Sequence, residues 1–392
     1  MAMPGARVRR AVPVLATLLA LFAPGLMPGH CRALPLFSRA YAVACSQCHL
    51  AGPRLNAFGM RFLQDGYRMR PAHGEPPAPL PRNVPLSVVA NAGISLEDVD
   101  RLGARRAETA EHPFRRNGVE LEAAGNAGGR VTFHLDHGFG NRAGMLERGT
   151  GFVQLDDVLR RGALNLKVGA YDADVPYLSS DRRTTLHPYL SPVTLEARGV
   201  ELNGSSSGLT YAAGLMASHR EQDLARLGSS RLNRLEDTYV WLMEDLSGQK
   251  LAARMWFDRQ DSNLPGHSWL QHLQAEFSSY LDWGRFAVIP AYIQDRFDDR
   301  PVFKIHDKRH RGLLEAIAAL GPERRWMVTA RYEHEYHTRT PFTREEDHQL
   351  GVLGLGYTVT PNARIDLEWA RTTDNLGDPR VQELDASVQL GY

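Results

Sequence analysis

The chain has 392 residues, 43% of them hydrophobic, a mean hydropathy of −0.35, and 46 Lys plus Arg against 45 Asp plus Glu. That balance argues against nucleic acid or an anionic membrane surface as a charge-driven partner, and three cysteines do not make a disulfide scaffold. The length allows two or three ordinary domains or one large sheet, and the hydropathy suits a soluble protein or a transmembrane β-barrel, whose alternate residues face water.

Residues 1–33 read as a secretory signal: Arg7, Arg9 and Arg10 form its basic region, Ala11 to Met27 its apolar one, and Cys31-Arg32-Ala33 a small-x-small cleavage site. Cleavage after Ala33 discards Cys31. A lipobox ending at Cys31 is the alternative, and Pro28-Gly29-His30 fits it badly. Beyond Met27 no apolar run approaches the roughly 20 residues of a membrane helix. If the exported chain spans a membrane, it must do so as a closed barrel.

Ala44-Cys45-Ser46-Gln47-Cys48-His49 carries the attachment pattern of a c-type haem. Two thiols three residues apart present themselves to the two vinyl groups of one porphyrin, and the next residue brings an imidazole to the iron. Cys45 and Cys48 are thus candidates for covalent haem attachment and His49 for the proximal iron ligand. A thioredoxin-like pair lacks a surrounding βαβ pattern. A zinc cage lacks a second CxxC. A plain disulfide or a chance match is the remaining reading.

Pro53 to Gly66 is predicted to form one helix, with proline in its first turn and glycine at its end. Leu55, Phe58, Phe62 and Leu63 make an apolar stripe suited to a haem face. Residues 34–70 are too few to build a core alone. Met60, Met69 and His73 are candidates for the distal iron ligand; an open or water-ligated site is the alternative. Pro71 to Pro85 holds six prolines, and residues 71–83 are assigned to a stiff linker.

From residue 84 to residue 392 short stretches alternate apolar and polar with period two. In Arg364 to Trp369 the odd positions are apolar and the even ones charged; Glu383 to Tyr392, Trp326 to Glu333 and His272 to Leu281 show the same texture. Short turns near Gly128, Gly162, Gly208, Gly248, Gly284, Gly321 and Asn362 alternate with long polar loops: 95–117, 140–151, 172–198, 218–236, 258–267, 296–311, 337–347 and 372–380. This wiring predicts an all-β fold, a 16-stranded antiparallel outer-membrane β-barrel with a small N-terminal α-helical c-type haem domain. Trp241, Trp269, Trp283, Trp326 and Trp369 are candidates for interface girdles. A soluble two-sheet sandwich shares the period but not the loop asymmetry.

Phe37-Ser38-Arg39-Ala40-Tyr41-Ala42-Val43-Ala44-Cys45, Cys48-His49, Pro53-Arg54-Leu55-Asn56-Ala57-Phe58-Gly59, Phe62 and Gly66-Tyr67 form a phrase of about thirty residues. It resembles the fused monohaem cytochrome–porins of the outer membrane, found in iron-oxidising bacteria and their relatives. The resemblance implies one haem c bonded through Cys45 and Cys48, with His49 proximal. It also implies electron transfer from an extracellular donor, Fe2+ in the best-known members, to a periplasmic c-type cytochrome. On that reading the protein is an iron(II) oxidase or electron-transfer protein of the cell outer membrane, its partners those two redox groups and outer-membrane lipid. Residues 34–70 are expected to plug the barrel.

Glu120, Glu122, His134 and Asp136 fall on the polar face of adjacent strands and suit either a passing cation or plain water-facing positions. His306 with His310, and His334 with His337, read as solvated loop histidines without matched carboxylates. A redox-gated solute porin and a soluble periplasmic carrier are the competing functions. Nothing resembles a Ser-His-Asp set, a phosphate loop or a catalytic carboxylate pair.

Overall fold

The computed structural model describes residues 37, 41, 43–51, 53–69, 86–101, 104–106, 118–140, 150–159, 162–179, 182–190, 196–218, 237–260, 269–300, 306–321, 323–340, 344–360, 362–374 and 380–391. The signal, the whole linker with His73, and Tyr392 lie outside these residues, as do the side chains of Cys45, Trp269 and His306.

The N-terminal unit holds helix α1 (Cys45–Cys48), a small hairpin of β1 (His49–Ala51) and β2 (Arg54–Leu55), and helix α2 (Ala57–Gln64). The predicted helix over 53–66 is therefore shorter. Asn56 sets its start, because its side-chain oxygen accepts the Gly59 N–H at 2.9 Å, and Pro53 to Leu55 turn back along β1 instead. Its end falls where expected: Gly66, at φ 66°, turns the chain.

The barrel begins with β3 (Leu86–Arg101), with β4 (Ala104–Arg106) folded onto its end. It continues through β5 (Gly118–Ala127), β6 (Val131–Gly140), β7 (Gly151–Leu155), β8 (Asn165–Asp172), β9 (Glu196–Ser206), β10 (Leu209–Ser218), β11 (Asp237–Leu246) and β12 (Gln249–Gln260). Then follow β13 (Trp269–Asp282), β14 (Phe286–Arg300), β15 (His306–Leu320), β16 (Trp326–Thr340), β17 (Arg344–Thr360), β18 (Ala363–Asp374) and β19 (Arg380–Gly391). Each strand pairs antiparallel with its chain neighbours and β19 closes onto β3, giving sixteen strands and no free edge. At Ser207-Gly208 and Ser247-Gly248 both residues have positive φ, the conformation that matches strand twist in a tight hairpin.

Alternation decides which way each residue faces. On β16 Met327, Thr329, Arg331 and Glu333 are buried inside, while Trp326, Val328 and Tyr332 face out; on β18 Asp366 and Glu368 point in, Leu367 and Trp369 out. Leu314, Leu320, Leu353, Leu355, Phe277 and Leu273 continue the outer apolar band. Trp283, Trp326 and Phe286 mark its short-turn margin. A polar inside and a continuous apolar outside suit lipid rather than water. The chain is an outer-membrane β-barrel, and the soluble sandwich is excluded.

Three expectations need correction. The strands outrun the predicted loops, with β3 reaching Arg101, β14 and β15 enclosing only residues 301–305, and β16 and β17 only 341–343. Beyond the apolar band both faces meet water, so the ladder continues while the period-two pattern fades. Trp241 is not a girdle residue: it is 6% exposed and packs inside with Tyr239 and Met216. Finally, residues 173–179 and 182–190 of the predicted external loop fold into the lumen, with Ala173, Val175, Tyr177 and Leu178 fully buried. The Leu186 N–H donates to Glu368 at 2.6 Å, the Leu190 N–H to Glu333 at 3.0 Å, and Arg331 donates to the Pro188 carbonyl at 2.7 Å. Leu50 and Met60 join this loop and inward residues of the wall in one apolar cluster, so the core sits inside the barrel.

Candidate functional site

The Cys45–Cys48 turn is held by short-range bonds. Gln47 N–H donates to the Ala44 carbonyl and Asn56 N–H to the Cys48 carbonyl, both at 2.9 Å. The Asn56 amide nitrogen donates to the Gln47 carbonyl at 3.0 Å, so one side chain caps α2 and ties it to α1. Gly59 permits the contact, because a Cβ there would overlap the Cys48 carbonyl oxygen. Cys48 is half-buried.

His49 Nδ1 lies 3.1 Å from the Pro53 carbonyl. A carbonyl only accepts, so Nδ1 carries the proton and Nε2 keeps its lone pair. Burial pushes the His49 pKa down and the Arg182 charge adds to this, against the opposing Pro53 and Arg54 carbonyls. A neutral imidazole with a backbone-fixed tautomer is what an iron ligand requires. With the Cys48 side chain beside it, the turn fits a thioether-linked haem. No group of three or more His, Cys, Asp or Glu is poised for a bare metal ion among the described residues.

The unit is anchored in the lumen at two heights. At the deeper one Arg54, fully buried, places Nη2 2.8 Å from Glu315 Oε2 and 3.0 Å from Oε1, reaches Tyr189 Oη at 3.4 Å, and donates to the Tyr177 carbonyl of the inward loop. Burial opposes its charge, but Glu315 and Tyr189 outweigh burial and raise its pKa. Nearer the short turns Arg68 pairs with Asp157 at 2.6 Å and donates to the Gly129 carbonyl at 3.0 Å. Thr132 donates to the Gly66 carbonyl at 3.0 Å, and Tyr67 Oη meets His134 Nδ1 at 3.3 Å. The N-terminal unit is thus a plug.

The predicted stripe is split. Phe62 is buried in a ring cluster with Phe37, Tyr41 and Tyr67, whereas Phe58 is 39% exposed. Met60 is fully buried in the cluster shared with the inward loop. Met69 packs on the Phe62–Tyr67 cluster and lines a cavity of about 480 Å³ with Phe58, Arg61 and Lys250. The two methionine candidates therefore belong to different clusters.

Of the proposed lumen groups, the structure brings three together. His134 Nε2 lies 3.0 Å from Asp136, its Nδ1 is 3.9 Å from Glu122, and Asp136 also accepts the Thr150 N–H at 2.6 Å. The other candidate histidines lie on strands and not in loops. His306 and His310 lie on β15, His334 and His337 on β16, where the extended ladder supplies partners. His310 meets Tyr292 Oη at 2.7 Å, His334 meets Asp347 at 2.9 Å, and His337 pairs with Asp307 and, at 3.3 Å, with Glu346.

Arg54, Glu315, Tyr177, Tyr189 and Arg182 are the site residues that sequence reasoning missed. Val175-Pro176-Tyr177-Leu178, an apolar run inside a polar loop, was the available signal.

Solved structures resemble this fold. The anion-selective porin from Comamonas acidovorans superposes with a TM-score of 0.59 at 11% identity over 79% of this chain and 99% of that one. The outer membrane channel DcaP of Acinetobacter baumannii gives 0.58 at 7% over 78% and 97%. OmpT of Vibrio cholerae, in its trimer form, gives 0.52 at 11% over 78% and 99%. At these identities the likeness is one of fold. The chain matches no protein-family model and no curated protein.

Proposed function

We propose that this protein is an outer-membrane electron conduit: Cys45 and Cys48 hold a c-type haem covalently, His49 ligates its iron, and the plug holds that group inside the barrel. The single observation that carries the reading is the His49 imidazole, fixed through Nδ1 by Pro53 directly after Cys48, on a unit lodged in the lumen. When bound, the haem supplies reversible one-electron exchange. The chain's own residues do the rest. Asn56 and Gly59 set the turn that presents the thiols. Arg54 and Arg68 fix the plug against Glu315 and Asp157. The inward loop and the plug together exclude water from the deep side of the site.

The wall separates two compartments by an apolar band about 25 Å tall in barrels of this kind, so a group held within it serves both. Ferrous iron is the proposed extracellular donor and a periplasmic c-type cytochrome the acceptor, as the cytochrome–porin resemblance implies. Passing only electrons leaves the poorly soluble ferric product outside.

Stopped-flow mixing of the purified protein with ferrous iron, followed at the haem absorption, tests this. Reduction of the covalent haem band by ferrous iron, with that band missing from a Cys45→Ala/Cys48→Ala variant, supports it; no covalent haem absorbance, or a band that ferrous iron leaves oxidised, refutes it. A solute porin gated by the plug is the second reading, favoured by the likeness to channel proteins. Steady ion conductance of the intact protein in liposomes would select it.

A further inference from the structure

On the outer wall the apolar band gives way to charge at the long-loop end. Alternation puts Tyr292, Gln294 and Arg296 of β14, and Lys308, His310 and Leu314 of β15, on the outward face, while Ile293, Asp295, Arg311 and Leu313 between them are buried. Arg296 and Lys308 are exposed and stand directly opposite each other in the ladder, one outward row above Gln294 and His310 and two above Tyr292 and Gly312. Opposed side chains in an antiparallel pair have Cβ atoms roughly 4.5–5.5 Å apart, and like charges so placed destabilise the pair. Among the described residues Lys308 makes no ion pair. His310 meets Tyr292 Oη, and the outward acids Glu345 and Asp347 stand on β17, two strands away, where His334 takes Asp347. In sequence the even positions of β14 and β15 from 294 to 310 carry Arg296, Arg300 and Lys308 against one acid, Asp298.

The strand itself gives their height. Leu320, paired with Trp326, marks the short-turn margin of the band. Lys308 lies twelve residues up β15 from Leu320, which at ~3.3 Å per residue and a tilt of about 45° is roughly 28 Å. The apolar band of such barrels is about 25 Å tall, so the opposed cations stand just past its edge, at the level of lipid headgroups. Tyr292 and Tyr332, 45% and 50% exposed, form an aromatic rim below them. Long loops mark the extracellular end of an outer-membrane barrel, so those headgroups belong to the outer leaflet.

A compact dianion answers two opposed cations, because Arg grips phosphate oxygens through its fork and Lys binds them as a point charge. A phosphate monoester carries about −1.5 to −2 at neutral pH, whereas a diester carries a single charge. We propose that Arg296 and Lys308 bind the phosphate monoester of a phosphorylated glycolipid in the outer leaflet, so that the wall holds a specific lipid at its long-loop rim. The near-balance of charge over the whole chain hides this local excess. The inference stands on the barrel alone and is independent of what the plug carries.

The test titrates the full-length protein from outer membranes, in neutral detergent free of divalent cations, with diphosphoryl lipid A, and reads bound lipid by native mass spectrometry. A basic side chain at a membrane surface is worth about fivefold in affinity, so Arg296→Gln/Lys308→Gln should raise the apparent Kd for lipid A roughly twenty- to thirtyfold. Arg285→Gln/Arg325→Gln removes the same two charges from exposed positions at the short-turn rim, and its Kd should stay where it was. An equal loss in that control makes the effect one of net charge and overturns the inference, as does an unchanged Kd in the Arg296/Lys308 variant. Phosphatidylglycerol, a diester, should bind the unsubstituted protein more weakly than lipid A; equal binding overturns the assignment to a monoester. Should the double variant fail to insert, Lys308→Gln carries the test alone: a rise of about fivefold supports the inference and none overturns it.

Discussion

Replacing Arg54 by methionine removes the deep anchor of the plug while keeping its apolar stem. The side chain is fully buried, contacts both Glu315 carboxylate oxygens at 2.8 and 3.0 Å, and bonds the inward loop through Tyr177 and Tyr189. Removing one partner of such a pair leaves the other charge stranded, which costs about 3–5 kcal/mol. Every 1.4 kcal/mol or so is a factor of ten, so the population with the plug displaced should rise by roughly two to three and a half orders of magnitude. Conductance in planar bilayers and protease cleavage within residues 43–69 read this directly: Arg54→Met should conduct and be cut, and the unsubstituted protein should do neither. Arg54→Met/Glu315→Met, which removes both charges, should regain most of the seal. A double variant as leaky as the single one, or a single variant as tight as the unsubstituted protein, would refute the reasoning.

Three further expectations concern the plug. Cys48→Ala should lower covalent haem content, measured as the haemochrome spectrum after acid-acetone extraction, while heat-modifiable gel migration of the barrel stays intact. Gly66→Ala combines a φ of 66° with a Cβ that would overlap Thr132 Oγ1 and lie 2.7 Å from Asp156. It should loosen the plug by about 1–3 kcal/mol, visible as faster amide exchange in α2. Burial raises the Tyr41 pKa above 10.0, against the opposing charge of Arg68, and its hydroxyl donates to the Tyr67 carbonyl at 2.6 Å. The folded plug favours neutral Tyr41, so this contribution is complete below the unfolded value near pH 10 and is lost as pH rises through the folded pKa. Amide exchange should quicken across that window, and Tyr41→Phe should flatten the dependence; an unchanged pH profile in Tyr41→Phe would remove Tyr41 as the cause.

The barrel was legible because membrane-spanning strands carry their own orientation. Ile365, Leu367 and Trp369 against Asp366 and Glu368 state which face meets lipid without reference to any other strand. The thiol–imidazole pattern that the haem proposal uses was equally local, a matter of spacing in Cys45, Cys48 and His49. Strand ends beyond the apolar band were not legible. There the period-two pattern fades around His334 and His337, and only pairing with β17 reveals that they belong to a ladder.

Sequence alone determined the alternation of faces, the short turns and the thiol–imidazole spacing, since each depends on residues within a few positions of one another. Tertiary structure alone decided what fills the barrel. Arg54 and Glu315 stand 261 positions apart, and Arg54 and Tyr177 stand 123 apart. No local pattern marks a buried charge for a partner at that distance. Only closure of the wall around plug and loop removes the water that would otherwise keep those groups separate.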